Sequence, residues 1–182
     1  PRILAEGRVD ILAVFSANEP NIIRGLGFEV TLWDPEEHGV PSMGLTYDIL
    51  IADDHPLFRS ALRQALFDGL GDTITLSEVG SITELQQRLG ERADWDLVLL
   101  DLNMPGAHGF SGLVFMRGQY PGLPVVVVSG SEDLQVMRRS IDYGASGFIP
   151  KSAPLPTITE AIQAVLEGDV WLPEGVADKI ER

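Results

Sequence analysis

Cysteine is absent from this chain of 182 residues, which excludes a disulfide framework, a thiolate metal site and a cysteine nucleophile. Lysine is nearly absent too: arginine supplies almost all the positive charge, and the only lysines are Lys151 and Lys179. No uninterrupted apolar stretch approaches the ~20 residues that a bilayer span requires. No signal-peptide pattern opens the chain either, so a cytoplasmic protein without membrane contact is expected. With a formal net charge of -14, the chain lacks the basic footprint that grips nucleic acid directly. Its carboxylates are scattered rather than gathered into a tail, and most read as solvated faces. Also missing are a Gly-rich nucleotide loop, a Gly-x-Ser-x-Gly elbow and a His-Glu-x-x-His pair. His38, His55 and His108 show no metal-ligand spacing.

What remains is an ordinary globular composition, 45% hydrophobic and 22% charged, long enough for one substantial core. From Tyr47 onward, short apolar runs alternate with amphipathic stretches. Strands are expected at Tyr47–Ala52, Thr73–Val79, Leu97–Asp101, Val125–Ser129 and Ser146–Pro150. Helices are expected at Pro56–Phe67, Ile82–Leu89, Phe110–Gln119, Glu132–Tyr143 and Pro156–Leu166. Pro56 suits a first helical turn, and Gly69 and Gly71 are read as closing that helix. Five strands alternating with five helices imply an α/β protein with a parallel sheet and right-handed crossovers that put helices on both faces. Leu97 to Leu100 and Val125 to Val128 are apolar throughout, as strands buried on both faces are.

The segment before Met43 is different. Asp10–Phe15 and Phe28–Trp33 are candidate strands, Asn21–Leu26 a turn or short helix, and Pro35–Ser42 resembles a linker. Residues 1–46 are therefore set apart as an N-terminal extension of uncertain structure, either an added element or an upstream remnant.

The chemistry is concentrated where the strands end. Ile49-Leu50-Ile51-Ala52 runs into Asp53-Asp54, and Leu97-Val98-Leu99-Leu100 runs into Asp101-Leu102-Asn103-Met104-Pro105-Gly106. If these strands are parallel neighbours, three carboxylates meet at one sheet edge, an arrangement that is costly without a cation or proton. Ser129 and Lys151 also stand at strand ends, and open α/β sheets place their chemistry beyond those ends. Simpler roles exist for each. Asp53 and Asp54 could cap the following helix, Ser129 could cap the one expected at Glu132, and Lys151 could be a surface lysine.

The segments Ile51-Ala52-Asp53-Asp54-His55-Pro56, Leu100-Asp101-Leu102-Asn103-Met104-Pro105-Gly106, Val128-Ser129-Gly130 and Gly144-Ala145-Ser146-Gly147-Phe148-Ile149-Pro150-Lys151 resemble the receiver (CheY-like) domain of bacterial response regulators. The wording is closest to the NarL/FixJ (LuxR-type) class, whose receivers usually precede a helix-turn-helix. The resemblance covers about Tyr47 to Leu172. It implies a doubly wound, flavodoxin-like sheet of order 2-1-3-4-5, a receiver domain over 47–168 and, over 169–182, the start of a linker to an output domain.

The same resemblance implies the site. Asp101 would be the phosphoacceptor, with Mg2+ as cofactor held directly by Asp54, Asp101 and the Asn103 backbone carbonyl, and by Asp53 through water. Ser129 and Lys151 would bind the phosphoryl oxygens, the lysine as a point charge. Lys151 follows a Pro150 that the family often keeps in cis, although trans is the general preference. Phe148 corresponds to the family's aromatic switch residue. Its movement into space vacated by Ser129 would bias a surface on the last two helices and the fifth strand. A histidine kinase would be the donor, phosphorylation would promote homodimerisation, and DNA would be reached only through an output domain absent from this chain. His108, in the loop after Asp101, reads as a plain loop residue, and Trp95 as a packing residue at a strand start.

Such a domain is a phosphoacceptor rather than a turnover enzyme. The rival reading, an aspartate-nucleophile phosphohydrolase, usually places a second acid two residues after the nucleophile. Asn103 stands there instead and cannot act as a general acid. A stand-alone receiver is the other alternative. A degenerate receiver is disfavoured, because no acidic or lysine position is lost.

Overall fold

The computed structural model describes residues 46–92, 94–176 and 179, all within the unit spanning Gly44–Arg182. The elements expected upstream of residue 43 lie outside the described residues. From Tyr47 the order is β1 (Tyr47–Ala52), α1 (Pro56–Leu70), a 3-10 turn (Gly71–Thr73), β2 (Ile74–Val79), α2 (Ile82–Glu91) and β3 (Leu97–Leu100). Then follow α3 (Ser111–Gln119), β4 (Val125–Ser129), α4 (Leu134–Asp142), β5 (Gly147–Pro150) and α5 (Leu155–Leu166).

The five strands form one sheet of order β2-β1-β3-β4-β5, every pairing parallel. The α/β class and the 2-1-3-4-5 order are thus as the sequence implied. Because β1 pairs with β2 on one side and β3 on the other, the winding reverses direction there. A crevice opens at such a reversal, above the carboxyl ends of the strands. The register sets those ends level: Ala52 is opposite both Val79 and Leu100, Leu100 is opposite Val127, and Ser129 is opposite Pro150.

Strand alternation divides the core in two. Leu50, Val98, Leu100, Val127 and Phe148 pack against Leu85, Leu89, Leu113, Met116 and Met137, which belong to α2, α3 and α4. Ile49, Ile51, Leu97, Leu99, Val126 and Ile149 pack on the other face against Leu62 and Leu66 of α1 and Ile158, Ile162 and Val165 of α5.

Local chemistry fixes several boundaries. Ser81 caps α2 by accepting from the Glu84 amide at 3.2 Å, while the Glu84 carboxylate accepts from the Gly80 amide at 2.8 Å. The helix expected at Glu132 begins at Leu134, because Asp133 is the residue whose side chain accepts from a first-turn amide, that of Gln135. The helix α1 does not stop at Gly69. A Cβ there would lie 2.4 Å from the Thr159 methyl carbon, so this glycine permits close packing of α1 on α5. Gly71, at a φ of +60°, is the residue that ends the helix.

Beyond α5 the chain returns to the sheet. Gly147 bridges to Trp171, the Phe148 amide donates to Trp171 O at 3.0 Å and the Trp171 amide donates to Ser146 O at 3.1 Å. The outer edge of β5 is therefore covered by the chain's own tail. A Cβ on Gly147 would meet Trp171 O at 2.9 Å, which explains a glycine in that strand.

Candidate phosphoacceptor site

Three backbone hydrogen bonds carry the sheet ladder one residue past the strands and so fix the site. The Asp53 amide donates to Val79 O at 3.1 Å, the Asp101 amide to Ala52 O at 2.8 Å and the Lys151 amide to Ser129 O at 2.8 Å. Asp53, Asp101 and Ser129 are almost fully buried there.

Each buried aspartate divides its two oxygens. Oδ1 of Asp53 accepts from the His55 amide at 2.8 Å, and Oδ1 of Asp101 accepts from the Asn103 amide at 3.0 Å. These local turns fix the carboxylate planes. Oδ2 of each lies 2.7 Å from Lys151 Nζ. Lys151 therefore bridges the ends of β1 and β3 from its place after β5. Burial pulls its pKa down, but Asp101 and Asp53 outweigh that, and the net shift is upward. The ammonium also stands 5.0 Å from the centre of the Phe58 ring.

One ammonium does not neutralise this site. Asp54 brings a third carboxylate, and Asp53 Oδ2 and Asp54 Oδ1 are buried without a directed hydrogen bond. The Asp53 oxygen has its lysine as a close ion-pair contact rather than an aligned donor. One ligand atom from each of Asp53, Asp54, His55 and Asp101 can be chosen so that all four lie within 4.8 Å of one another. Orphaned carboxylate oxygens in a tight group suit a hard, oxygen-seeking dication such as Mg2+.

The capping readings find no support. His55 is the N-cap residue of α1 and makes no side-chain cap bond, and the Asp53 carboxylate accepts from the His55 amide rather than from one in the first turn. The Ser129 hydroxyl accepts from the Ser131 amide at 3.2 Å, in the loop before α4. Phe148 is fully buried and lies on the sheet face shared by Val127 and Ser129, directly opposite Val127. Among the described residues every peptide bond is trans, that before Pro150 included.

The histidine reading needs correction at one position. His55 has a side chain 61% exposed, yet its Nδ1 lies 2.9 Å from Asp54 Oδ1, 3.1 Å from Asp53 Oδ1 and 3.7 Å from Asp101 Oδ2. Ligand spacing in sequence did not point to it, because the grouping arises from the turn at Asp53. The available signal was its place directly after two strand-end acids. His108 is exposed, and its amide donates to Ser111 Oγ at 2.9 Å. Trp95 is buried, donates Nε1 to Arg92 O at 3.1 Å and lies under the Arg92 guanidinium, as a packing residue does.

Residues 49–163 match the family model described as response regulator receiver domain. Among curated relatives, the glycerol metabolism activator of Pseudomonas putida is 48% identical over 133 residues, covering 71% of this chain and 58% of the relative. The nitrate/nitrite response regulator NarL of Escherichia coli K12 is 31% identical over 128 residues, covering 70% of this chain and 58% of the relative. The chain thus spans about three fifths of the length of these relatives. Among solved structures, a LuxR family DNA-binding response regulator from Silicibacter pomeroyi superposes with a TM-score of 0.61 at 30% identity, covering 70% of this chain and 98% of that one. The isolated receiver domain of RcsB from Salmonella enterica, solved with the phosphomimetic BeF3-, gives a TM-score of 0.66 at 23% identity, covering 73% and 97%. Its likeness is one of fold. Among the described residues no helix is long and apolar enough to cross a membrane.

Proposed function

Because the chain belongs to the response regulator receiver family, in its NarL/FixJ–LuxR branch, we propose that Asp101 is the residue that accepts the phosphoryl group. The receiver is a phosphoacceptor signalling domain whose product is a conformational state rather than a released compound. The observation that carries the assignment is the meeting of Asp53 and Asp101 on the ammonium of Lys151, with Asp54 beside them in the same cluster of possible ligand atoms.

In this reading the donor is a phosphohistidine of a histidine kinase. Its P–N bond breaks, with the electron pair returning to the imidazole nitrogen, and an Asp101 carboxylate oxygen forms the new P–O bond. Mg2+ would be held by Asp54, Asp101 and the Asn103 carbonyl, with Asp53 acting through water. Bound there, it would supply charge neutralisation for the transferring group. Lys151 would turn from the two aspartates to the new phosphoryl oxygens, and the Ser129 hydroxyl would bind another. Phe148, sharing the Ser129 face, would fill the space that the serine leaves and reshape the surface of α4, β5 and α5. That surface is our candidate for homodimerisation on phosphorylation. Control of transcription would follow through a DNA-binding output domain of the kind that regulators of this branch carry, with 47–168 as receiver and 169–182 as the start of the linker.

Acetyl phosphate plus Mg2+, followed by intact mass, tests the acceptor. One added phosphoryl group is expected, absent without Mg2+ and absent in Asp101→Asn. No addition, or addition that survives Asp101→Asn, overturns the assignment. Sedimentation with and without beryllofluoride tests the dimer, and identical masses count against it.

A further inference from the structure

The ammonium of Lys151 stands among three polar atoms. Two are Asp53 Oδ2 and Asp101 Oδ2, each at 2.7 Å, and the third is His55 Nδ1, at 3.3 Å. Nδ1 faces two carboxylates as well as this ammonium, so the Nδ1 edge of the ring is turned into the cluster. The imidazole is thus already turned toward the place where positive charge gathers. Its Nδ1 also lies 2.9 Å from Asp54 Oδ1 and 3.1 Å from Asp53 Oδ1. Neighbouring ligands of an octahedral cation with bonds of ~2.1 Å stand about 3.0 Å apart. The 2.9 Å between the imidazole nitrogen and Asp54 Oδ1 matches the spacing of two ligand atoms sharing one cation.

Resting on the Mg2+ reading above, we propose that His55 Nδ1 is an additional ligand of this cation site and widens its preference from Mg2+ toward borderline divalent ions such as Co2+ or Zn2+. Carboxylate, carbonyl and water suit Mg2+, whereas imidazole favours the later transition ions. A site of two carboxylates, a carbonyl and one imidazole, with Asp53 acting through water, therefore accepts both kinds. The exposed ring of His55 lets the ligand enter from the rim without disturbing the core. The Asp53 carboxylate accepting the His55 amide holds the residue in place.

The full chain is loaded with Mn2+ and measured by pulsed electron paramagnetic resonance, alongside calorimetric titrations with Mg2+ and with Co2+. Nitrogen-14 coupling from a bound imidazole is expected in the parent protein and not in His55→Ala. Support groups around metal ligands are already worth ~10–100-fold in affinity, so His55→Ala is expected to weaken Co2+ by about tenfold or more while Mg2+ changes less than about twofold. If Mn2+ and Mg2+ do not bind, or bind equally well to Asp101→Asn, the cation reading itself fails. If they bind at the aspartates without nitrogen coupling, or the coupling survives in His55→Ala, the cation reading stands and the ligand role of His55 is overturned. Thermal melts without metal establish that His55→Ala remains folded.

Discussion

Replacing Lys151 by Met tests the electrostatics of the site most severely. Nζ lies 2.7 Å from an oxygen of Asp53 and 2.7 Å from one of Asp101. At an effective dielectric of about 20, each contact has a gross Coulomb attraction of ~6 kcal/mol. Desolvation of three buried ions cancels much of that, and removing one partner from a buried ionic group typically costs about 3–5 kcal/mol. Lys151→Met is therefore expected to lose ~3 kcal/mol or more in urea unfolding at pH 7 without metal. Asp101→Asn should have the opposite sign, because it takes one negative charge out of a cluster with three carboxylates and one ammonium. Its stability is expected to equal or exceed that of the parent. Mg2+ should then restore more stability to Lys151→Met than to the parent, since it no longer competes with an ammonium. A Lys151→Met protein as stable as the parent, or an Asp101→Asn protein destabilised by a comparable amount, would refute the charge imbalance on which the cation reading depends.

Lys151 also predicts an alkaline limb. Its pKa in the folded state lies above the ordinary 10.5, so its contribution is complete below that value and is lost as pH rises through the folded pKa. Urea midpoints of the parent should fall above about pH 10.5, and those of Lys151→Met should lack that component. Gly147→Ala places a Cβ 2.9 Å from Trp171 O and should cost about 1–3 kcal/mol, read as a lower Tm with the Trp171 contact loosened in hydrogen exchange. Ser81→Ala removes the α2 cap and should cost ~1 kcal/mol, visible as a shift of the urea midpoint at unchanged slope.

Much of this was legible because burial on both faces leaves a strong mark. The strands expected at Tyr47–Ala52 and Val125–Ser129 have the same bounds in the structure, since the apolar run of β1 stops before Asp53 and the valines of β4 close on Ser129. The acids, Ser129 and Lys151 could be placed for the same reason: each follows such a run. Helix ends were harder to read. Gly69 looked like a stop signal but serves the packing of Thr159, and helix packing across the sheet is invisible in a linear chain. Asp133, rather than Ser129, caps α4, because the turn at Ser131 intervenes. His55 was missed for a related reason. Its approach to three carboxylates depends on a hydrogen bond from its own amide to Asp53, a local geometry that residue spacing does not encode. That the Lys151 ammonium spans Asp53 and Asp101 is likewise a geometry that residue spacing does not encode.

Few proteins offer as clean a target for amine footprinting. The chain has two lysines; Lys179 is exposed, whereas the Lys151 side chain is 15% exposed and its Nζ is held between carboxylates with its pKa raised. An acylating reagent at mild pH should mark Lys179 freely and leave Lys151 unmodified. Labelling at Lys151, located by peptide mass, would then report directly on whether that ammonium has left its two aspartates. The scarcity of lysine thus gives the site a built-in reporter, with no engineered probe required.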